Sequence, residues 1–304
     1  MVVAPESESL LTGPKGPRLR RWFAPARIGV YAVLLLATFF YLFPLYVMIA
    51  TSLKDLDEIR AGNIFAWPER PSGAAWVRAW DERCTGLTCE GIKVGFWNSV
   101  KITVPTVALS VFLGSLCGYV LAMWRYRGAS VWFGLLLFGM FIPPPVILYP
   151  LVYTVGLLRM VGTLQAVIIV NTILGIPFMA LLFRNAFAAL PQDLFRAARA
   201  DGAGFWRIYW EVLLPLLKPV IAVALMLQVT AVWGDFMFSA VLAGVDNLPM
   251  TIQYHNIVSN VYGTREYNVD MAATILTAAV PLFVYFTCGR FFMRGVTSGL
   301  GTGR

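Results

Sequence analysis

Ile28-Gly-Val-Tyr-Ala-Val-Leu-Leu-Leu-Ala-Thr-Phe-Phe-Tyr-Leu-Phe-Pro-Leu-Tyr-Val-Met-Ile-Ala-Thr-Ser-Leu53 contains no charged residue. At 1.5 Å per residue, about 20 apolar residues cross a hydrocarbon core about 30 Å thick. The run is longer than the apolar stretch of a cleaved signal peptide, and no small-residue cleavage pattern follows it, so it is expected to stay as a membrane anchor. The rest of the chain has the same character. Of 304 residues, 59% are hydrophobic and 13% charged, against roughly 45–50% and 25% in a soluble domain. This balance excludes an ordinary water-soluble globule.

Reading from one charged residue to the next gives five further intervals: Ile102 to Trp124, Gly128 to Leu158, Met160 to Phe183, Pro219 to Val245 (interrupted by Asp235) and Met271 to Gly289. A charge at the centre of a membrane helix costs about 2.5–3.5 kcal/mol on insertion scales, so each interval is a predicted span. The expected fold class is an all-α polytopic membrane protein of six transmembrane helices, its spans in contact with lipid. The formal charge of +8, from 24 basic and 16 acidic residues, then belongs to loops rather than to a nucleic-acid surface. Lys15, Arg18, Arg20, Arg21 and Arg27 precede the first span, Arg125 and Arg127 follow the second, and Arg290, Arg294 and Arg304 follow the sixth. Arg184, Arg196, Arg199, Arg207 and Lys218 lie between the fourth and fifth. The positive-inside rule puts all of these, and hence both termini, in the cytoplasm.

With one histidine and four cysteines, a His-rich catalytic or metal centre is excluded, because a zinc site needs three or four clustered ligands. Cys84 and Cys89 share an outer loop, and their spacing permits a disulfide or two free thiols. Cys117 and Cys288 lie alone in apolar runs. Pro143, Pro144 and Pro145 must break or kink the third span, as a structural bend or as a flexible wall of a substrate path. Gly114-Ser115-Leu116-Cys117-Gly118 is a small-xxx-small face for close helix approach. Asp235 is an acidic residue within a span, which suits a pathway or an interfacial position. His255 reads as a solvated loop histidine.

The fourth-to-fifth loop is the most informative: Leu190-Pro-Gln-Asp-Leu-Phe-Arg-Ala-Ala-Arg-Ala-Asp-Gly-Ala-Gly-Phe-Trp-Arg-Ile-Tyr-Trp-Glu-Val-Leu-Leu-Pro215. Pro191 suits a helix start and Asp193 the positive end of its dipole. Ala197, Ala198 and Ala200 favour a smooth helix, and Gly202 is placed to end it in the left-handed region. A helix, a glycine stop and a second helix follow from these local rules, either as a docking surface or as a plain connector.

Ala197-Ala198-x-x-Asp201-Gly202-Ala203, with Leu214-Pro215 and Pro219, resembles the EAA motif of permease subunits of bacterial binding-protein-dependent ABC importers. Trp233-Gly-Asp-Phe236, Leu248-Pro249, Ala272-Ala273 with Pro281, and Arg294-Gly295-Val-Thr-Ser-Gly299 extend the likeness to the maltose-transporter type of sugar permease, from about residue 96 onward. The resemblance implies the type I ABC importer permease fold, with a cytoplasmic tail over 1–27, a permease domain over 28–304, a core over about 96–292 and a coupling loop over 185–218. It implies a second homologous permease subunit, two cytoplasmic ATPase subunits and a periplasmic sugar-binding protein as partners, in the inner membrane. Arg196, Ala197, Ala198, Asp201, Gly202 and Ala203 become the expected ATPase-coupling residues. Trp233, Asp235 and Phe236 become pathway candidates, and Leu248, Pro249 and Tyr254 a candidate face toward the binding protein. Arg196 stands where the motif usually has Glu, so the charge contact of that Glu does not transfer.

No Gly-x-x-x-x-Gly-Lys-Ser/Thr stretch occurs, so this chain offers no P-loop phosphate cradle. No cofactor is expected on it, and ATP and Mg2+ are expected on the ATPase partners. A stand-alone secondary transporter or channel is the competing class, but the sequence shows no obvious internal repeat and few intramembrane charges for ion coupling. A membrane sensor would need a signalling domain that the sequence lacks. Sugar as substrate rests on the resemblance alone, since Trp233, Phe236 and Tyr254 could stack on pyranose rings or anchor at the interface; a monosaccharide, an oligosaccharide and a polyol phosphate stay open, with a leaning to an aldose such as glucose or mannose.

Overall fold

The computed structural model describes residues 25–85, 88–124, 127–259 and 265–300, with only the backbone course for 25–27 and 290–300. The predicted N-terminal charges up to Arg21, and Arg125 and Arg304, lie outside the described residues, as do the side chains of Arg27, Arg290 and Arg294. The first crossing is α1 (Pro25–Ser52), followed on one face by α2 (Leu56–Arg60) and by α3 (Ala74–Val77), which runs on into a widened turn at Arg78–Glu82. Next come α4 (Lys93–Met123), α5 (Ala129–Phe141), α6 (Pro144–Leu157), α7 (Leu164–Ala188) and α8 (Gln192–Ala200). The short α9 (Phe205–Arg207) passes through a π-type stretch (Ile208–Leu213) and a 3-10 stretch (Leu214–Leu217) into α10 (Lys218–Trp233). Two outer helices, α11 (Met237–Leu242) and α12 (Met250–Val258), precede α13 (Tyr267–Leu300).

The α4–α7 pair is the spine. A Cβ on Gly114 would fall 2.3 Å from Met179 Cβ, and one on Gly118 would fall 2.6 Å from the Arg184 backbone nitrogen. The two glycines therefore let the backbones meet, as the small-xxx-small pattern predicts. Because 114 faces 179 and 118 faces 183–184, α4 and α7 run parallel. Their starts share one end of the bundle: Asn98 Nδ2 donates to Leu248 O at 3.3 Å and Gly162 N to Leu242 O at 2.8 Å. The connection between them must recross the bundle, and α5 and α6 do so with a 102° bend at Ile142–Pro143. Pro143, Pro144 and Pro145 cause it, since proline lacks the donor and clashes with the preceding turn.

Among the described residues, five long apolar helices and this bent pair thus make six crossings. Asn268 Nδ2 donates to Lys54 O at 2.9 Å, joining the end of α1 to the start of α13 on the outer-loop face. Both described chain ends consequently emerge on the face that carries α8. From residue 28 to 49 no side chain of α1 is buried, leaving that helix as an apolar surface for lipid or a neighbouring chain.

The charge-to-charge limits need correction at several ends. The second span begins at Lys93, because Lys101 is exposed within α4 and does not interrupt it. The fourth runs to Ala188, because the Arg184 guanidinium lies 4.1 Å from the Phe133 ring centroid of α5. The fifth begins at Phe205 and ends at Trp233, not Pro219 to Val245. Its early charges are tolerated because Arg207 Nε donates to Glu211 Oε2 at 3.0 Å, and Pro215 is absorbed where the hydrogen-bond spacing changes. On the face opposite α8, Cys84 and Cys89 are bonded to each other, and Glu266 accepts from Arg78 at 2.9 Å and Arg83 at 3.2 Å.

Candidate functional site

At the α8 end, aromatic side chains from four elements form one buried cluster: Tyr119 of α4, Phe183 and Phe187 of α7, Phe195 of α8, and Tyr209 beyond α9. The Tyr209 hydroxyl lies 2.7 Å from Ser115 Oγ, and Tyr119 donates to Phe205 O at 3.3 Å. Phe195 is 7% exposed and meets Trp124 edge-on at 6.0 Å. The Arg199 guanidinium stands over Trp124 at 5.3 Å, a cation–π contact. A helix of α8's length is marginal by itself, so burying Phe195 and half-burying Ala198 and Ala203 against the cluster is what holds it.

The six expected coupling residues divide between two faces. Ala198 and Ala203 point into the chain's own cluster, whereas Arg196, Ala197, Asp201 and Gly202 are exposed. Gly202 has φ +74°, with Gly202 N donating to Arg199 O at 3.1 Å and Ala203 N to Ala198 O at 3.0 Å. This is the left-handed stop that glycine permits. Arg196 reaches Asp193, one turn back, at 3.6 Å, with both side chains largely in solvent.

A concavity opens between α5, α6, α7, α10 and α11, with a volume of about 450 Å³. Its polar lining is Asn171, Gln228 and Asp235, set among Met140, Ile147, Phe178 and Phe238. Asp235 lines it but also serves the fold. Its carboxylate accepts from Phe238 N at 3.2 Å, Ser239 N at 3.0 Å, Ser239 Oγ at 2.8 Å and Asn171 Nδ2 at 3.3 Å. It therefore caps the start of α11, a role that its position in a span did not suggest.

The other pathway candidates are elsewhere. Trp233 is 3% exposed, stacks edge-on with Phe96 at 5.8 Å and donates to Thr277 O at 3.0 Å. It has no free face for a ligand. Phe236 is exposed outside the cleft and meets the His255 ring at 4.8 Å. Pro249 is buried, and Leu248 and Tyr254 are half-buried. Tyr254 accepts from Thr274, so this expected receptor-facing set is mostly packed against α4 and α13. Asn171 and Gln228 were missed because neutral amides do not interrupt a hydropathy reading.

Residues 110–300 match the family described as the binding-protein-dependent transport system inner membrane component. The chain belongs to this family. The permease is 31% identical over 215 residues to an osmoprotective compounds uptake permease protein of Synechocystis, covering 70% of this chain and 72% of that one. It is 30% identical over 259 residues to the melibiose/raffinose/stachyose import permease protein of Bacillus subtilis, covering 84% and 90%. The permease also superposes, with a TM-score of 0.73, on a chain of a bacterial ABC transporter involved in the import of the acidic polysaccharide alginate. That match covers 91% of this chain and 99% of the other at 20% identity, which makes it a likeness of fold.

Proposed function

We propose that this permease subunit forms one half of the membrane pathway of an ATP-driven sugar importer. Its partners are a second homologous permease, two cytoplasmic ATPase subunits carrying ATP and Mg2+, and a periplasmic binding protein that delivers the sugar. The observation that carries this reading is the α8 platform. A short helix with an exposed Arg196-Ala197 and Asp201-Gly202 edge is packed through Phe195 against the ends of α4 and α7. A rigid attachment of this kind passes a displacement of α8 directly to the spine, so ATPase closure can bias the pathway between two states. The basic α8 face is cytoplasmic by the positive-inside rule, which puts both termini there and the disulfide loop in the periplasm.

The substrate is a neutral sugar, an aldohexose such as glucose or mannose or a short oligosaccharide built from such units. The relatives that handle melibiose, raffinose and stachyose or glucose support this choice. Tagged chain purified from its own membranes should bring down the ATPase subunits, and the reconstituted complex with its receptor should accumulate labelled glucose, mannose or melibiose only when ATP is present. Uptake by the chain alone, driven by an ion gradient, would instead establish a secondary transporter.

A further inference from the structure

The cleft beside α10 holds a buried amide that the fold does not use. Gln228 is 4% exposed, lines the cleft, and has no hydrogen-bond partner among the described residues. Space is reserved for it: a Cβ on Gly175 of α7 would fall 2.3 Å from Gln228 Nε2. The amide atoms are not sealed in the core but open to the cleft, so their donors and acceptor are held in place for whatever enters it. One turn before Gly175, Asn171 uses its amide hydrogens on Val167 O at 3.1 Å and Asp235 at 3.3 Å. Its side-chain oxygen is left as an acceptor.

The charge at this wall selects among ligands. Asp235 lines the cleft and no Lys, Arg or His does. A carboxylate without a cation in a partly dry space repels phosphates and uronates, whereas a hydroxyl can both give to and take from an amide. Phe178 offers an apolar flank for the C–H face of a ring, and the volume is within the ordinary range of small-ligand sites.

We propose that this subunit contacts the transported sugar itself, through the Gln228 amide and the Asn171 side-chain oxygen, and that Asp235 rejects anionic sugars. The assignment rests on the sugar-importer reading above. The test uses the complete importer in proteoliposomes, with Cys117 and Cys288 replaced by serine and Ala231→Cys introduced as a reporter on the cleft wall. Cys84 and Cys89, being bonded, stay silent to a small maleimide. Millimolar glucose, mannose or melibiose should slow alkylation of the reporter, and glucuronate should not. Adding Gln228→Ala should weaken that protection at least tenfold, and Gln228→Asn should restore part of it. Asp235→Asn, which can still cap α11, should let glucuronate protect. Undiminished protection in Gln228→Ala, or equal protection by glucuronate with Asp235 intact, overturns the assignment. If no neutral sugar protects, receptor-delivered uptake by the same vesicles separates the cases. Uptake of labelled sugar leaves the importer reading standing and removes only the cleft contact, and absence of uptake overturns both.

Discussion

Along α4 and α7 the backbones meet at Gly114 and Gly118, and the ends of both helices are fixed in the cluster of Tyr119, Phe183, Phe187 and Tyr209. Along α5 no side chain is buried, α6 buries Val155, and a Cβ added at Gly134, Gly139 or Gly156 would meet nothing within 4 Å. The two pairs are neighbours in the chain and both apolar enough to read as spans, the bent pair if anything more so, so hydropathy does not predict which packs closely. What separates them is that helix association in lipid depends on close packing and hydrogen bonds rather than on burying apolar area from water. The spine has both, and the bent pair has little of either within this chain. The cleft wall made by Met140, Ile142, Pro144 and Ile147 is therefore the part this chain packs least, and under the proposed coupling the spine would be the part that receives force from α8.

Phe195→Ala should have the largest effect. Removing a buried aromatic costs about 3–5 kcal/mol, more than a marginal α8 can bear. Uptake and ATPase association should vanish while membrane insertion persists, measured by co-purification of the ATPase. Next, Gly118→Val should overpack the spine by about 1–3 kcal/mol and lower the melting temperature of the purified subunit, whereas Gly134→Val should leave it unchanged. Equal shifts at the two glycines would erase the contrast between the pairs.

Gly202 sharpens the comparison at the attachment point. At φ +74° a side chain costs about 1–2 kcal/mol, and a β-branched one suffers more. Gly202→Val should therefore reduce ATPase association more than Gly202→Ala, in pull-down titrations; unimpaired binding by both would remove the turn from the coupling route. The smallest effect on folding belongs to Arg196. Its ion pair with Asp193 is solvent-exposed and worth at most about 1 kcal/mol, so Arg196→Ala should melt like the parent. If Arg196 meets an acidic groove on the ATPase rather than solvent, Arg196→Glu should lower receptor-stimulated ATP hydrolysis by charge repulsion, and added salt should restore part of it. Full activity at low salt would make Arg196 a bystander.

Much of the architecture was legible because it rests on local rules. Long uncharged runs specify spans, Gly114-xxx-Gly118 specifies a close helix face, consecutive prolines specify a break, and Pro191, Asp193 and Gly202 specify where α8 begins and ends. Reading from charge to charge misplaced span ends where a charge was paired, lay over an aromatic ring or stood exposed on a helix, as Arg207, Arg184 and Lys101 do.

The sequence by itself determined that this chain is a six-crossing helical membrane protein with a short helix–glycine platform on its basic face, since hydropathy, proline and glycine act over a few residues. Only the tertiary structure decided which side chains share a wall. Trp233 was turned into the core by Phe96 and Thr277, Asp235 was drawn onto the start of α11, and Ala198 and Ala203 were turned inward beneath Arg196 and Ala197. Gln228 and Asn171, neutral amides invisible to a charge count, were brought to the cleft from helices far apart in the chain. Those outcomes depend on the rotation of each helix about its axis, which is set by close packing between distant segments and leaves no mark within any one of them.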